Sequence, residues 1–504
     1  MAAAILASAL GFIDGSIVAI AIPQIRDSLD ATFAEVQWVA NAYVLLLAAL
    51  LLLGGAAGDR FGVRRTFGYG IALFAAASLA CALAPSTGWL IGARVAQGAG
   101  AAIMVPSSLA LIAKNYPRED RGRAIGLWSA ASALMTTAGP VLGGVVLAGG
   151  TDAWRWVFAI NLPLGALALL ILTRVPDDRG ARAEPLDWVG AAFATTALGA
   201  FALGLTFLGG ELRALPGWMG AWPLMGAGAA LAVCFLWWEE RTEHPMVRLA
   251  LFRSRAFAGA NAATLVLYAA LGGFLFYLPT QIVIGWGLTE FHAGLVFIPT
   301  GLLIAGLSPL AGRHADRHGP RLPLTLGPAV LGCGFLAVAW ANVGVGEGGS
   351  AERDFWFALL PAVALVGAGL GLTVSPLSSA VMLAVDDADS GTASGVNNMV
   401  ARMANLFAIA GLGALAAATY GATVSASGVS PIARERLLEA GYGERLEGAL
   451  YTARNVALQA QAMGDAFVSV VLVAAALAFA AALLGWLTQR AGTGGEAGAT
   501  NQGG

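Results

Sequence analysis

Apolar residues in this chain run almost unbroken for about twenty positions at a time. They do not alternate with polar ones as they would in a helix or strand that shows one face to water. Twenty apolar residues in a helix reach across the hydrocarbon of a bilayer. Fourteen such runs are expected, near 3–22, 37–57, 67–85, 89–113, 123–148, 154–173, 188–208, 218–238, 257–281, 292–312, 322–341, 355–384, 395–421 and 464–488, the tenth interrupted around Pro299 and Thr300. Residues 422–463 read as a long loop with short amphipathic helices around Ile432–Leu438 and Leu450–Val456, and the glycine-rich 491–504 as a disordered tail. Met1 to Leu10 has no basic stretch and no cleavage pattern, so it is taken as the start of the first span.

Composition agrees. Of 504 residues, 58% are hydrophobic and 12% charged, where soluble domains carry about 25% charge, and the mean hydropathy is +0.74. The fold class is therefore an all-α polytopic membrane protein, with the lipid bilayer as its partner. The net charge of −2 and the lack of a Lys/Arg stripe argue against nucleic acid. Cys81, Cys234 and Cys333 stand alone in separate apolar runs, as packing residues rather than a disulfide framework or metal cluster. Basic residues are placed unevenly. Five loops on one side, from Arg60 to Arg321, hold seventeen, and the short loops on the other side hold Arg26, Arg155, Arg213 and Arg353. The positive-inside rule then puts both termini in the cytoplasm, although the acidic loop with Asp386, Asp387 and Asp389 departs from the pattern.

An internal repeat organises the spans. Gly58-Asp59-Arg60-Phe61-Gly62-Val63-Arg64 recurs as Ala315-Asp316-Arg317-His318-Gly319-Pro320-Arg321, 257 residues later and after an even-numbered span both times. Parallel repeats of this kind mark transporters that hold substrate near the midplane between two halves. The copies follow spans 2 and 10, eight apart where two six-helix bundles would put them six apart, so two helices are inserted. Expected units are a six-helix bundle over 1–175, two linker helices over 176–250 and a second bundle over 251–490. Asp59, Arg60, Gly62, Arg64, Asp316 and Arg317 would latch neighbouring helices in one conformation; a plain basic tether is the other reading.

These residues resemble the major facilitator superfamily and, within it, the fourteen-helix drug:proton antiporter family, over nearly the whole chain. Gly55-Ala56-Ala57-Gly58-Asp59-Arg60-Phe61-Gly62 is similar to the superfamily's loop 2–3 motif, departing at Val63. Leu90 through Gly100, with Arg94 and Gln97, resembles the helix 4 motif. Gly139-Pro140-Val141-Leu142-Gly143-Gly144 resembles the helix 5 antiporter motif, with Met135 in place of its first glycine. Asp14-Gly15-Ser16 through Pro23, and Trp154-Arg155-Trp156-Val157-Phe158 with Asn161 and Pro163, resemble the fourteen-helix group, with Ser16 and Ala19 as departures. The resemblance implies a major facilitator fold, a bacterial cell (inner) membrane location, a monomer, and no cofactor, metal or enzymatic activity.

Two charged residues inside the first six spans carry the expected chemistry. An ionisable group at a helix centre costs roughly 2.5–3.5 kcal/mol on insertion scales and is functional by default. Asp14 lies about 20 Å into its span, faces the central cavity in this reading, and trades a proton for substrate. A static bond to Gln37 or Asn41 is the alternative. The resemblance makes Arg94 part of the same coupling machinery, with Gln97 as companion; an interfacial snorkelling arginine is its alternative. Gly139, Pro140, Gly143 and Gly144 would let a bent, close-packed helix 5 seal the bundle. Gln37, Asn41, Gln97, Asn261, Tyr268, Tyr277, Gln281 and Asn398 are the candidates for lining the substrate cavity.

With no nucleotide motif, energy must come from an ion gradient. The leading expectation is proton-coupled efflux of amphipathic small molecules, cationic drugs among them, with protons and a small-molecule substrate as ligands. Export of one metabolite, or symport on the same fold, is the alternative. A membrane enzyme would need paired catalytic groups at depth, and the sequence offers none.

Overall fold

Hydrocarbon offers no partner to a backbone amide, so each long apolar run must coil into a helix that satisfies its own N–H groups. The computed structural model describes residues 1–116, 118–176, 185–208, 220–342, 351–385, 390–446 and 451–489, and these are helical with no strand among them. The side chain of Asp59, the segments 177–184 and 209–219, the acidic run at 386–389 and the tail 491–504 lie outside that description. The first half begins with α1 (Ala2–Leu29), α2 (Phe33–Phe61), α3 (Val63–Ala82), α4 (Thr87–Asn115), α5 (Arg118–Leu147) and α6 (Trp154–Leu172). Two further helices follow, α7 (Trp188–Leu208) and α8 (Ala221–Arg241). The second half holds α9 (Arg255–Gly285), α10 (Glu290–His318), α11 (Arg321–Ala341), α12 (Ala351–Leu383), α13 (Ser390–Ala426), the short α14 (Pro431–Ala440) and α15 (Ala453–Thr488). Thirteen described helices are long and apolar enough to cross a membrane, and the 30-residue α5 stands at the remaining expected span.

Helix ends follow local chemistry. Thr32 and Glu35 cap α2 reciprocally, and Ser86, Ser254 and Thr452 each accept an early amide of α4, α9 and α15. The repeated motif makes the same turn twice, through Gly62 at φ 95° and Gly319 at φ 84°, where a side chain would be strained. Breaks inside spans have a common cause. Pro163 and Pro299 cannot bond the carbonyls four residues earlier, Ala159 and Leu295. The sixth span breaks just after Ala159 and the tenth just after Leu295. The tenth span's interruption thus falls before the expected Pro299.

The far loop also departs from expectation. Pro431–Ala440 is a short helix as anticipated, started by Ser430 and Pro431. The stretch around Leu450–Val456 instead leads into the last span, which begins at Ala453 rather than 464. Polar Asn455 and Gln459 lie in its first two turns, and Gln459 donates to the Glu444 carbonyl at 2.5 Å.

In the first half α4 packs between α2 and α3, and α1 against α5 and α6; in the second, α12 packs on α10 and α11, and α15 on α9, α11 and α13. The two inserted helices pack on each other, and α7 reaches α2 and α13. The halves meet along two seams, α2 on α13 and α5 on α10. The end carrying the two repeated arginine motifs is called here the basic end, and the opposite one the far end.

Candidate functional site

Asp14 is wholly buried inside the first half, 0% exposed. Its Oδ2 accepts from Arg94 Nη1 at 2.5 Å. Its Oδ1 accepts from Gln97 Nε2 at 2.8 Å and from Asn161 Nδ2 at 3.3 Å. Arg94, 1% exposed, also donates through Nε to the Val39 carbonyl at 2.9 Å and through Nη1 to Gln97 Oε1 at 2.6 Å. Its guanidinium lies over the Tyr43 ring at 4.3 Å and near the Phe158 ring at 5.7 Å. Gln97 and Asn161 both donate to Ser78 Oγ, at 2.9 and 3.3 Å. Five helices, α1, α2, α3, α4 and α6, therefore converge on one ion pair.

Small residues make that convergence possible. A Cβ on Gly98 would stand 2.4 Å from the Tyr43 carbonyl oxygen, and one on Gly100 2.7 Å from the Phe74 nitrogen. The glycines of the helix 4 motif thus press α4 onto α2 and α3 and bring Arg94 and Gln97 within reach of Asp14. Two buried opposite charges are tolerated when their remaining lone pairs and N–H groups are also matched, as most are here.

This geometry corrects one expectation and departs from two of the alternatives. Asp14 faces the interior of the first half rather than a central cavity, because α4 supplies a closer and stronger partner than water. Its partners are Arg94, Gln97 and Asn161, not Gln37 or Asn41. Arg94 does not snorkel to an interface. Ser78 went unnoticed in the sequence, since one serine in an apolar run is common; the spacing to Asn161 across two helices gives it meaning only in three dimensions.

The glycines of helix 5 lie at close contacts. A Cβ on Gly139 would meet Ser16 Oγ at 2.1 Å and one on Gly143 would meet Ile17 at 2.7 Å, so α5 lies tight on α1. Across the halves, a Cβ on Gly144 would stand 2.8 Å from the Glu290 carbonyl oxygen, and one on Gly294 2.6 Å from that of Pro140. These contacts join the halves at the far end. Arg26, at the end of α1, adds a contact there by donating to the carbonyls of Tyr442 and Ala440 and pairing with Glu444 at 3.0 Å. Arg445 bridges Asp27 at 3.0 Å and Glu290 at 3.2 Å. A cavity of about 610 Å³ lies beside these contacts, lined by Arg26, Asp30, Phe33, Arg434, Glu439 and Glu444 among others.

The two repeated motifs lie at the basic end. Arg60 lies 5.3 Å from its neighbour's Phe61 ring, and Arg64 donates to the Thr173 carbonyl at 3.3 Å. Asp316 accepts from Ser379 on α12 at 3.1 Å, and Arg317 is exposed. In the second half Tyr277 donates to the Ile409 carbonyl at 2.6 Å. Gln281 donates to Asn342, and Asn261 accepts from Asn397. Asn398 is exposed, and Asn397 makes the interior contact in its place. Tyr268 is half-buried on α9. Gln37 and Asn41 are buried on the α2 face that meets α13, with Gln37 against Gly413.

The family model described as Major Facilitator Superfamily matches residues 4–409. The chain belongs to the major facilitator superfamily. Among its relatives in that superfamily is the multidrug resistance protein Stp of Mycobacterium tuberculosis (strain CDC 1551 / Oshkosh), 33% identical over 420 residues, which are 82% of this chain and 74% of the relative. The methylenomycin A resistance protein of Streptomyces coelicolor is 32% identical over 435 residues, 84% of this chain and 88% of the relative. A bacterial homologue of the human lysosomal transporter Spinster, solved in an inward-facing, unoccupied conformation, shares the fold with a TM-score of 0.66 at 18% identity, over 96% of each chain. This facilitator is thus a multi-pass membrane transporter with multidrug efflux relatives, and not an enzyme.

Proposed function

We propose that this protein exports amphipathic small molecules by alternating access, driven by protons entering the cell. The Asp14–Arg94 pair carries the reading. A membrane protein gains nothing in stability from a buried ion pair that an apolar pair would not supply, so the pair is better explained by a cycle that breaks and remakes it. Protonating Asp14 removes the charge facing Arg94 and frees the guanidinium and Gln97 to rearrange; loss of the proton restores the closed network. Two arrangements of one cluster shared by five helices can bias which end of the transporter is open. The basic end is taken as cytoplasmic, with both termini there, in the inner membrane of a bacterium, and the protein as a monomer built of units 1–175, 176–250 and 251–490.

The test is reconstitution in vesicles with an imposed proton gradient and a panel of dyes, drugs and metabolites. Asp14→Asn should abolish gradient-driven accumulation while the protein still inserts and folds. Full activity in that variant would rule out the role of Asp14. Export of one compound rather than many is a second reading, supported by the methylenomycin A relative; the same panel separates them by how many compounds are moved.

A further inference from the structure

Arg402 lies twelve residues into α13 and is half-buried. Gly395 and Gly413, seven residues before it and eleven after, both lie against α2: a Cβ on the first would meet Leu52 at 2.6 Å, and one on the second Gln37 at 2.3 Å. At 3.6 residues per turn all three share one helix face within about 20°. Leu406, one turn on, packs with Leu45, Ala48 and Ala49 of α2. Arg402 therefore sits on the seam between the halves, midway along α2, within electrostatic reach of Tyr43 on one side and Tyr268 on the other.

Among the described residues no carboxylate pairs with it; Asp14 is already taken by Arg94. Asp465, the acid on α15, accepts from Thr423, about six turns further along α13. The same seam holds polar groups with no partner. Asn41 is 0% exposed, and neither its Nδ2 nor its Oδ1 is hydrogen-bonded. Gln37 Oε1, also on α2, is buried and unmatched further along the seam beside Gly413, and Asn405 Oδ1 lies against Gly272 of α9 rather than on the seam. Buried polar atoms in native proteins are nearly always paired, and an unpaired cation at mid-membrane marks a ligand path. Together they place a fixed cation and an unmatched amide on one seam between the halves.

We infer that Arg402, with Asn41, forms a subsite for an anionic group, most simply a carboxylate, on an otherwise apolar substrate. The inference rests on the export reading and sharpens it: preferred substrates are amphipathic acids, not cations. Arginine suits this task because its planar fork takes both oxygens of a carboxylate and never loses its charge.

The experiment uses one dansyl scaffold in three forms, dansylglycine (carboxylate), dansylamide (neutral) and a dansyl quaternary ammonium, with the full chain in vesicles under a proton gradient. Accumulation of the carboxylate should exceed that of the ammonium by about tenfold or more, the usual scale of a charge-assisted hydrogen bond. Arg402→Gln should erase that preference, and Arg402→Lys should keep most of it. Equal or better transport of the ammonium, or an unchanged preference in Arg402→Gln, overturns the inference. Dansylglycine fluorescence on purified protein without a gradient separates the two readings. Binding that depends on Arg402 without accumulation of any probe supports the subsite and overturns export. Accumulation of the ammonium with no binding of dansylglycine supports export and overturns the subsite.

Discussion

At the scale of single residues, what matters is which charge finds which partner. Asp14 and Arg94 are each expensive in hydrocarbon, and each is made tolerable by the other, by two amides and by a backbone carbonyl. Removing one member strands the other, at a cost of about 3–5 kcal/mol. At the far end Glu444 plays a softer part. Partial burial, with Asp30 and Asp27 nearby, outweighs the Arg26 guanidinium and raises its carboxyl above the usual glutamate range. A raised acid binds its proton more tightly in the docked loop than in the free one. The docked state is therefore favoured below the ordinary glutamate pKa and loses that increment as pH rises through the raised value. Labelling of a cysteine introduced at Ala31, which lines the far-end cavity, should become faster as pH rises through that window. Glu444→Gln should flatten the dependence, and an unchanged slope would show that another group titrates.

At the scale of elements, close approach of helices is bought with glycine. Gly144 and Gly294 let α5 and α10 touch backbone to backbone across the halves. Gly144→Val places carbon atoms against the Glu290 carbonyl, which cannot yield as a flexible side chain would, and overpacking costs about 1–3 kcal/mol. Transport should fall about tenfold as the far end fails to close, with insertion unchanged. Gly226→Ala on α8, where an added Cβ meets nothing within 4 Å, serves as the control and should transport normally. The proline breaks in the sixth and tenth spans are equally local: each follows from one missing N–H, four residues after the carbonyl it would have bonded.

At the scale of the whole molecule, the duplicated turn at Gly62 and Gly319 and the two seams between halves set how the halves sit together. Orientation belongs to this scale, because it depends on charge summed over many loops. A fluorescent protein fused to the C-terminus should be bright and an alkaline phosphatase fused there inactive; an active phosphatase would invert the assignment. Much of this was legible in one dimension. Runs of twenty apolar residues determine helices, since lipid leaves the backbone no alternative, and the repeat at Asp59 and Asp316 with the spans between them implied two halves and an inserted pair. Asp14 and Arg94 announced themselves as charges where charge is costly. That they are partners was not legible, because eighty residues of chain separate them and only the packing of α4 onto α1 brings them together. Nor was the lack of an ion pair for Arg402 among the described residues, since that is a property of everything around a residue. Solvent acts on each segment independently and so writes helix, span and side into the sequence; pairing is a relation between segments, and only the tertiary structure decides it.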